Sequence, residues 1–207
     1  MKRQSLFFLT LMVFGFFGGK ALAIEEAKYT VLKEDGAFQL RKYDPQIVAE
    51  TLVAGDFKEV GNEGFRRLFR YISGNNRAQK AIAMTAPVTQ EGGSEKIPMT
   101  APVSQEKSGG EWRITFLMPS SYTLETIPEP LDPMVQIKET PGRYLAAITY
   151  SGTWSQSRYE KHKALLGEWM AAQKLKPLGD PVWARYNPPF TPWFLRRNEI
   201  LIPVEAP

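Results

Sequence analysis

From residue 24 onward, apolar and polar side chains alternate with two different periods, and the changes of period mark the elements. Residues 38–43, FQLRKY, alternate one-in, one-out and predict a strand; residues 47–54, IVAETLVA, are rich in β-formers and stop at Gly55. After Phe57 the spacing lengthens. Phe65, Leu68, Phe69 and Ile72 fall at i, i+3, i+4 and i+7, one face of a helix, and Arg66, Arg67 and Arg70 fall off it. Ser73-Gly74-Asn75-Asn76 supplies the stop. Period two returns in EWRITFLMP, which puts Trp112, Ile114, Phe116 and Met118 on one strand face. Four prolines between 119 and 133 predict an irregular connection. Residues 143–151 read as a strand ending at Gly152, and Ser157-Arg158-Tyr159-Glu160 reads as a capping box opening a helix that runs to about Gln173. DPVWARYNPPFTPWF and RRNEILIPV predict two last strands around a proline-rich turn.

Two repeats lie in this order. A shift of 97 positions lays VAETLVAGDF (48–57) on LAAITYSGTW (145–154) without a gap, matching Gly55 to Gly152 and Leu68, Phe69 and Ile72 to Leu165, Leu166 and Trp169. Each half reads as strand, glycine turn, helix, then two strands. Neither half can bury its helix stripe alone, so the two are expected to pool their strands, with both helices packed outside. The second repeat is literal: Met-Thr-Ala-Pro-Val occurs at 84–88 and again at 99–103, joined by the polar, glycine-rich TQEGGSEK. Thr, Val and a pre-proline residue favour extended chain, so each copy suits a short strand beside a loop. Met84 and Met99 are candidates to line a ligand pocket, because thioethers pack adaptably and can ligate haem iron.

Residues 1–23 stand apart. Lys2 and Arg3 precede the uncharged, mostly apolar run Leu6 to Gly19, and Ala21-Leu22-Ala23 fits a small-x-small cleavage site. That layout predicts a secretory signal, because fourteen residues fall short of the ~20 needed to cross a bilayer. The expected mature chain, 24–207, is one domain without a membrane span, exported to the periplasm or another extracytoplasmic space. Three of the 26 Lys and Arg residues and none of the 22 acids lie in the signal, so the remainder carries only +1. A near-neutral chain lacks the basic field that nucleic-acid binding needs. The absence of cysteine excludes disulfides, thiolate metal sites and thioether-linked haem.

The motifs GFRRLFRYISGNN, IAMTAPV and RYNPPFTPWFLRRNEILIPV together resemble the SOUL/haem-binding protein family, from about Tyr29 to Val204. The resemblance implies an α+β fold: a distorted β-barrel built from a duplicated half, with two helices flanking it. It also implies non-covalent binding of haem or related tetrapyrroles. The fold is similar to effector-binding domains that take assorted flat apolar molecules, so haem binding incidental to such a role is the alternative. The family pattern has one MTxPV segment, which makes one copy here the barrel segment and the other additional loop.

The chemistry left in the chain is that of a binding protein. Its one histidine, His162, leaves neither a protein-built zinc site nor an evident triad. His162 falls within the stripe of Tyr159, Leu165, Leu166 and Trp169, in the slot of Phe65 in the other half. Two roles stand open for it: a hydrogen-bonded ring at the core boundary, or an axial haem ligand. Phe65, Phe69, Leu166 and Trp169 are the candidate apolar contacts to a ligand. Arg70 stands where the family often has a basic residue, which would pair with a propionate. Arg196-Arg197-Asn198-Glu199 reads as a strand-edge device or an ion pair.

Overall fold

The computed structural model describes residues 24–79 and 93–207. The elements run β1 (Tyr29–Asp35), β2 (Phe38–Tyr43), β3 (Gln46–Val53), α1 (Phe57–Ile72), β4 (Asn76–Arg77), β5 (Val103–Ser108), β6 (Glu111–Leu117), β7 (Glu129–Pro130), β8 (Gln136–Thr140), β9 (Arg143–Tyr150), α2 (Gln156–Ala172), β10 (Val182–Arg185) and β11 (Asn198–Val204). Nine strands form one antiparallel sheet in the order β1-β2-β9-β11-β10-β5-β6-β3-β8, and β4 pairs with β7 separately. The sheet curls into a half-barrel with α1 and α2 on one face, the α+β architecture expected from the pattern. The barrel is open, with β1 and β8 as its edges.

The strand and glycine turn of each expected half recur in the structure at the offset of 97, while the two helices begin 99 positions apart. β3 and β9 are both eight residues long and begin 97 apart. Gly55 and Gly152 end them with φ of +136° and +133°, a region L side chains rarely enter. Each strand then turns through the same glycine geometry into its helix. Gly64 decides how closely α1 docks, because a Cβ there would lie 2.3 Å from Ile114 Cγ1 on β6.

Core packing follows the two halves. α1 buries Leu68, Tyr71 and Ile72 against Ala49, Ile114 and Phe116; α2 buries Tyr159, Leu166, Trp169 and Met170 against Ile148, Ile200 and Ile202. The sheet face away from the helices carries Tyr43, Leu145, Ala147, Val182, Ala184 and Leu201.

Three expectations are corrected. The cap of α2 is Ser155, whose Oγ accepts from the Arg158 N–H, so the helix opens two residues before the Ser157 box. Residues 29–35 and 136–140 form strands that the periodicity does not mark. Glu199 lies on β11, paired on both sides by β9 and β10, so its segment is central in the sheet and not an edge. The ion-pair reading is the one that holds. Arg41 on β2 donates from Nη1 to Glu199 Oε2 at 2.8 Å and from Nη2 to Oε1 at 3.0 Å, and both side chains are buried. Tyr186 and Thr149 hydroxyls also donate to the carboxylate, and Arg197 Nε lies 3.6 Å from Oε1.

The second Met-Thr-Ala-Pro-Val copy enters the sheet. Thr100 Oγ1 donates to the Leu117 carbonyl, the Ala101 N–H donates to Glu25 O at 2.9 Å, and Val103 begins β5. The first copy, with Met84, and the expected signal at 1–23 lie outside the described residues.

Candidate functional site

Two concavities open on the helix side. One is an apolar groove of about 270 Å³ between the middle of α1 and the loop after β10, walled by Phe65, Phe69, Met99, Val103, Pro188 and Pro189. The other is a cleft of about 1150 Å³ where the N-termini of α1 and α2 face each other, walled by Phe57, Trp112, Tyr159 and Trp183 and rimmed by charges of both signs. Asn62, Trp154 and Arg185 line both, so the two are neighbouring compartments with a shared wall.

The groove follows from local sequence. The α1 stripe is wider than the strip that the sheet covers. Leu68 and Ile72 go under, while Phe65 is half-buried and Phe69 stays 48% exposed. The two rings stack nearly parallel, at 5.7 Å and 11°. Opposite them, Asn187-Pro188-Pro189 cannot extend β10, because proline offers no ladder donor. The chain leaves the sheet there and continues into Phe190, Trp193, Phe194 and Leu195, all exposed. Arg196 holds this loop by donating to the carbonyls of Pro189 and Thr191 at 2.6 and 2.8 Å.

The structure brings Phe65, Phe69 and Met99 together in the groove. It places the other candidates elsewhere. Arg70 is exposed on α1 and lines neither compartment. Leu166 and Trp169 are core residues on the far half, and Trp169 donates from its indole to Asp35 at 3.1 Å. His162 is half-buried and stacks on Tyr150 with centroids 3.8 Å apart; Nδ1 lies 2.7 Å from the Arg158 carbonyl, where it donates. It too lines neither compartment.

Arg185 was not among the sequence candidates. Its signal was there: it lies two residues beyond Trp183 on β10, so the two share a strand face. Its guanidinium carbon stands 4.1 Å from the Trp183 ring centre and 5.2 Å from that of Trp154. Nη2 donates to Gln105 Oε1 at 3.0 Å, and Gln105 in turn donates to Phe57 O at 2.8 Å. Gly61 makes room for this pair, since a Cβ there would lie 2.8 Å from Gln105 Oε1 and 3.0 Å from Arg185 Nη2. Burial pulls the guanidinium down to about 10, so it remains charged at neutral pH.

The described chain from Ile24 to Pro203 matches the family model for SOUL heme-binding protein. The chain belongs to the SOUL heme-binding protein family. A relative in Xenopus laevis, Heme-binding protein 1, is 27% identical over 169 residues, covering 81% of this chain and 84% of its own length. Among solved structures, the EcmrR C-terminal domain superposes with a TM-score of 0.58 at 9% identity, covering 86% of this chain and 99% of that domain. A hydrolase from Listeria innocua superposes at 0.51 with 10% identity, covering 84% and 94%. At such identities the likeness of these two to the SOUL chain shows the fold alone.

Proposed function

We propose that this SOUL chain is an exported, non-enzymatic protein that binds haem or a related tetrapyrrole reversibly in the apolar groove. The observation that carries the reading is the groove itself: two stacked phenylalanines, a methionine and two prolines around an open apolar slot, continued by exposed aromatic side chains. An uncovered patch of this kind on a folded domain marks a binding surface. Flat apolar rings gain from stacking on Phe65 and Phe69. The slot is below the ~300–1,000 Å³ range of enclosing small-molecule pockets, so it grips one face or edge of a macrocycle and leaves the rest to the proline-rich loop. Open-faced contact suits reversible holding.

Family membership and the Xenopus relative support haem as the ligand. Without cysteine, attachment is non-covalent. Among the described residues that line the groove, Met99 offers a thioether, the Tyr186 hydroxyl is engaged by Glu199, and there is no imidazole. Affinity is therefore assigned to apolar contact. That same feature favours a second reading, in which other flat apolar molecules use the groove and haem is incidental.

Haemin titration decides between them. A saturable, one-to-one Soret change is expected, with affinity reduced at least tenfold in a Phe65→Ala/Phe69→Ala variant. Non-stoichiometric spectra, unaltered in the variant, would favour the second reading. Turnover of the porphyrin would contradict a purely binding role. Export through residues 1–23 predicts a mature chain beginning at Ile24, and intact-mass measurement on envelope protein that retained Met1 would refute it. The correspondence of the two strand–helix halves is read as an internal duplication whose members have since diverged at the groove.

A further inference from the structure

Arg185 is a cation held between two indoles without a counter-charge. Arg41 is matched by Glu199, Arg67 by Glu63 and Asp132, Arg113 by Glu50 and Glu106, and Arg197 by Glu26 and Glu199. Arg143, Arg158 and Arg196 are half-buried without an ion pair, as Arg185 is, but of these four Arg185 alone lines the helix-side concavities. Among the described residues, no carboxylate lies within 4 Å of Arg185. Its one side-chain hydrogen bond leaves most of a five-donor fork unused. Arg185 is half-buried, and its unused donors are not among the buried unpartnered atoms, so they remain accessible to a ligand.

Its position says what kind of ligand that is. Arg185 stands on the wall shared by the apolar groove and the polar cleft. A ligand lying on Phe65 and Phe69 therefore meets this guanidinium at the groove's inner end. Beyond it the cleft carries Lys58 and Lys107, together with Asp56, Glu111 and Asp180; Lys163, also there, is taken by Glu160 at 2.6 Å. The acids make the cleft electrically mixed, so the unmatched fork of Arg185 is the feature that selects an anion. Packing against the Trp183 and Trp154 rings orients the planar fork, the geometry that grips a carboxylate at two points.

Resting on the tetrapyrrole reading, we infer that Arg185 is the anion-recognition residue of the site. It receives a carboxylate of the ligand's acidic side chain, which passes from the groove into the cleft while the ring face stays on α1. The SOUL chain is thereby selective for a flat apolar body that bears an acid, against the same body without one. Arg70, exposed and outside both compartments, has no part in this.

The test compares haemin with its dimethyl ester, in which both propionates are masked, on wild type, Arg185→Met and Arg185→Lys. Wild type is expected to prefer the diacid about tenfold or more, the range a charge-assisted hydrogen bond supplies. Arg185→Met should erase the preference, so that acid and ester bind equally, and Arg185→Lys should keep part of it. Equal affinity of wild type for acid and ester overturns the inference. So does a preference that survives in Arg185→Met, which would place the anion contact on Lys58 or Lys107. The ligand comparison on wild type needs no folded variant. If neither haemin nor its ester binds saturably, the tetrapyrrole reading fails by itself. The anion site is then read with 1-anilinonaphthalene-8-sulfonate, whose fluorescence enhancement should disappear in Arg185→Met; enhancement unaltered in the variant overturns the inference in that case also.

Discussion

His162 shows how a side chain's neighbours settle what its type leaves open. Its Nδ1 is engaged by the Arg158 carbonyl one turn back, and its ring is covered on one face by Tyr150. Such a carbonyl contact fixes the tautomer with Nε2 bare, the form a metal ligand takes. Yet no compartment described above reaches that ring, and the stacking partner occupies the sheet side. The expected outcome for His162→Phe is an unchanged haemin spectrum and a stability within about 1 kcal/mol of wild type, because an aromatic face against Tyr150 is kept. Absorption and electron paramagnetic resonance spectra at saturation check it; loss of a histidine-ligated spectrum would return the ring to the iron. Legibility at this level divides by periodicity. Phe65 and Phe69 were visible because apolar residues at helix spacing mark a face, and Met99 because it opens a repeated segment and its thioether suits a pocket. Arg70 and Arg185 were not separable, since a strand arginine reads as solvent-facing until the Trp on its own face is known to be buried. Leu166 and Trp169 went the other way: they share the spacing of Phe69 and Ile72, but α2 packs on β9 and β11 so that these two are covered, while Leu165 and His162 of the same stripe stay partly open.

The segment between α1 and β5 carries the literal repeat, and its second copy is built into the structure at several points. Ile97 is buried and its N–H donates to Ile72 O at 2.8 Å; Asn76 exchanges hydrogen bonds with the Glu95 backbone at 2.8 and 2.9 Å; Tyr122 donates to Glu95 Oε1 at 2.6 Å. Excision of Thr85 to Met99 joins Met84 to Thr100 and places Ile82 where Ile97 stands and Lys80 where Glu95 stands. The backbone pairing and the buried isoleucine are thereby replaced in kind, and the tyrosine bond is lost. Shortening a loop whose ends remain close costs little. The shortened chain should keep its fold with a melting temperature lowered by less than about 10 °C, a loss of 1–2 kcal/mol at this size. Thermal unfolding followed by circular dichroism measures it; collapse of the native signal would mean that both copies are structural. The sequence announced the repeat and its extended character, but assigning the sheet to one copy required the hydrogen bonds of Thr100, Ala101 and Ile97. For a similar reason β1 escaped detection: six of its seven residues are exposed, and an edge strand without a buried face has no alternation to read.

The half-barrel's far face is held by a charged network where an apolar layer would serve. Burial alone would push the Glu199 carboxyl up, but the bidentate Arg41, the Tyr186 hydroxyl and Arg197 outweigh it and hold it below the usual carboxylate range. Its folded-state pKa therefore lies under its unfolded value. The stabilisation it supplies is complete above the unfolded value, through neutral pH, and is lost as pH falls through the folded one. Melting temperature should be flat near neutrality and fall on acidification below about pH 4. Glu199→Gln should remove that acid limb and lower stability at neutral pH by about 3–5 kcal/mol, because Arg41 is left buried without its counter-charge. A pH scan of melting temperature on both proteins tests this, and an unchanged acid limb in the variant would move the effect to other carboxylates. The fold class was readable beforehand because two helix stripes and their strands recur at a fixed offset. The strand order was not, since β11 sits between β9 and β10 through pairings that only the assembled sheet reveals.

The distance in sequence between Arg41 and Glu199, 158 positions, bears on how the molecule is made. The carboxylate arrives on the last strand, and that strand fills the middle of the sheet. A chain that stops short lacks its central pairing partner and carries an orphan cation on a face meant to be buried, whatever else has formed. Pairings this remote are slow to close and cannot begin before β11 has been made. The ion pair is therefore a late contact, and a chain without β11 keeps Arg41 without its carboxylate.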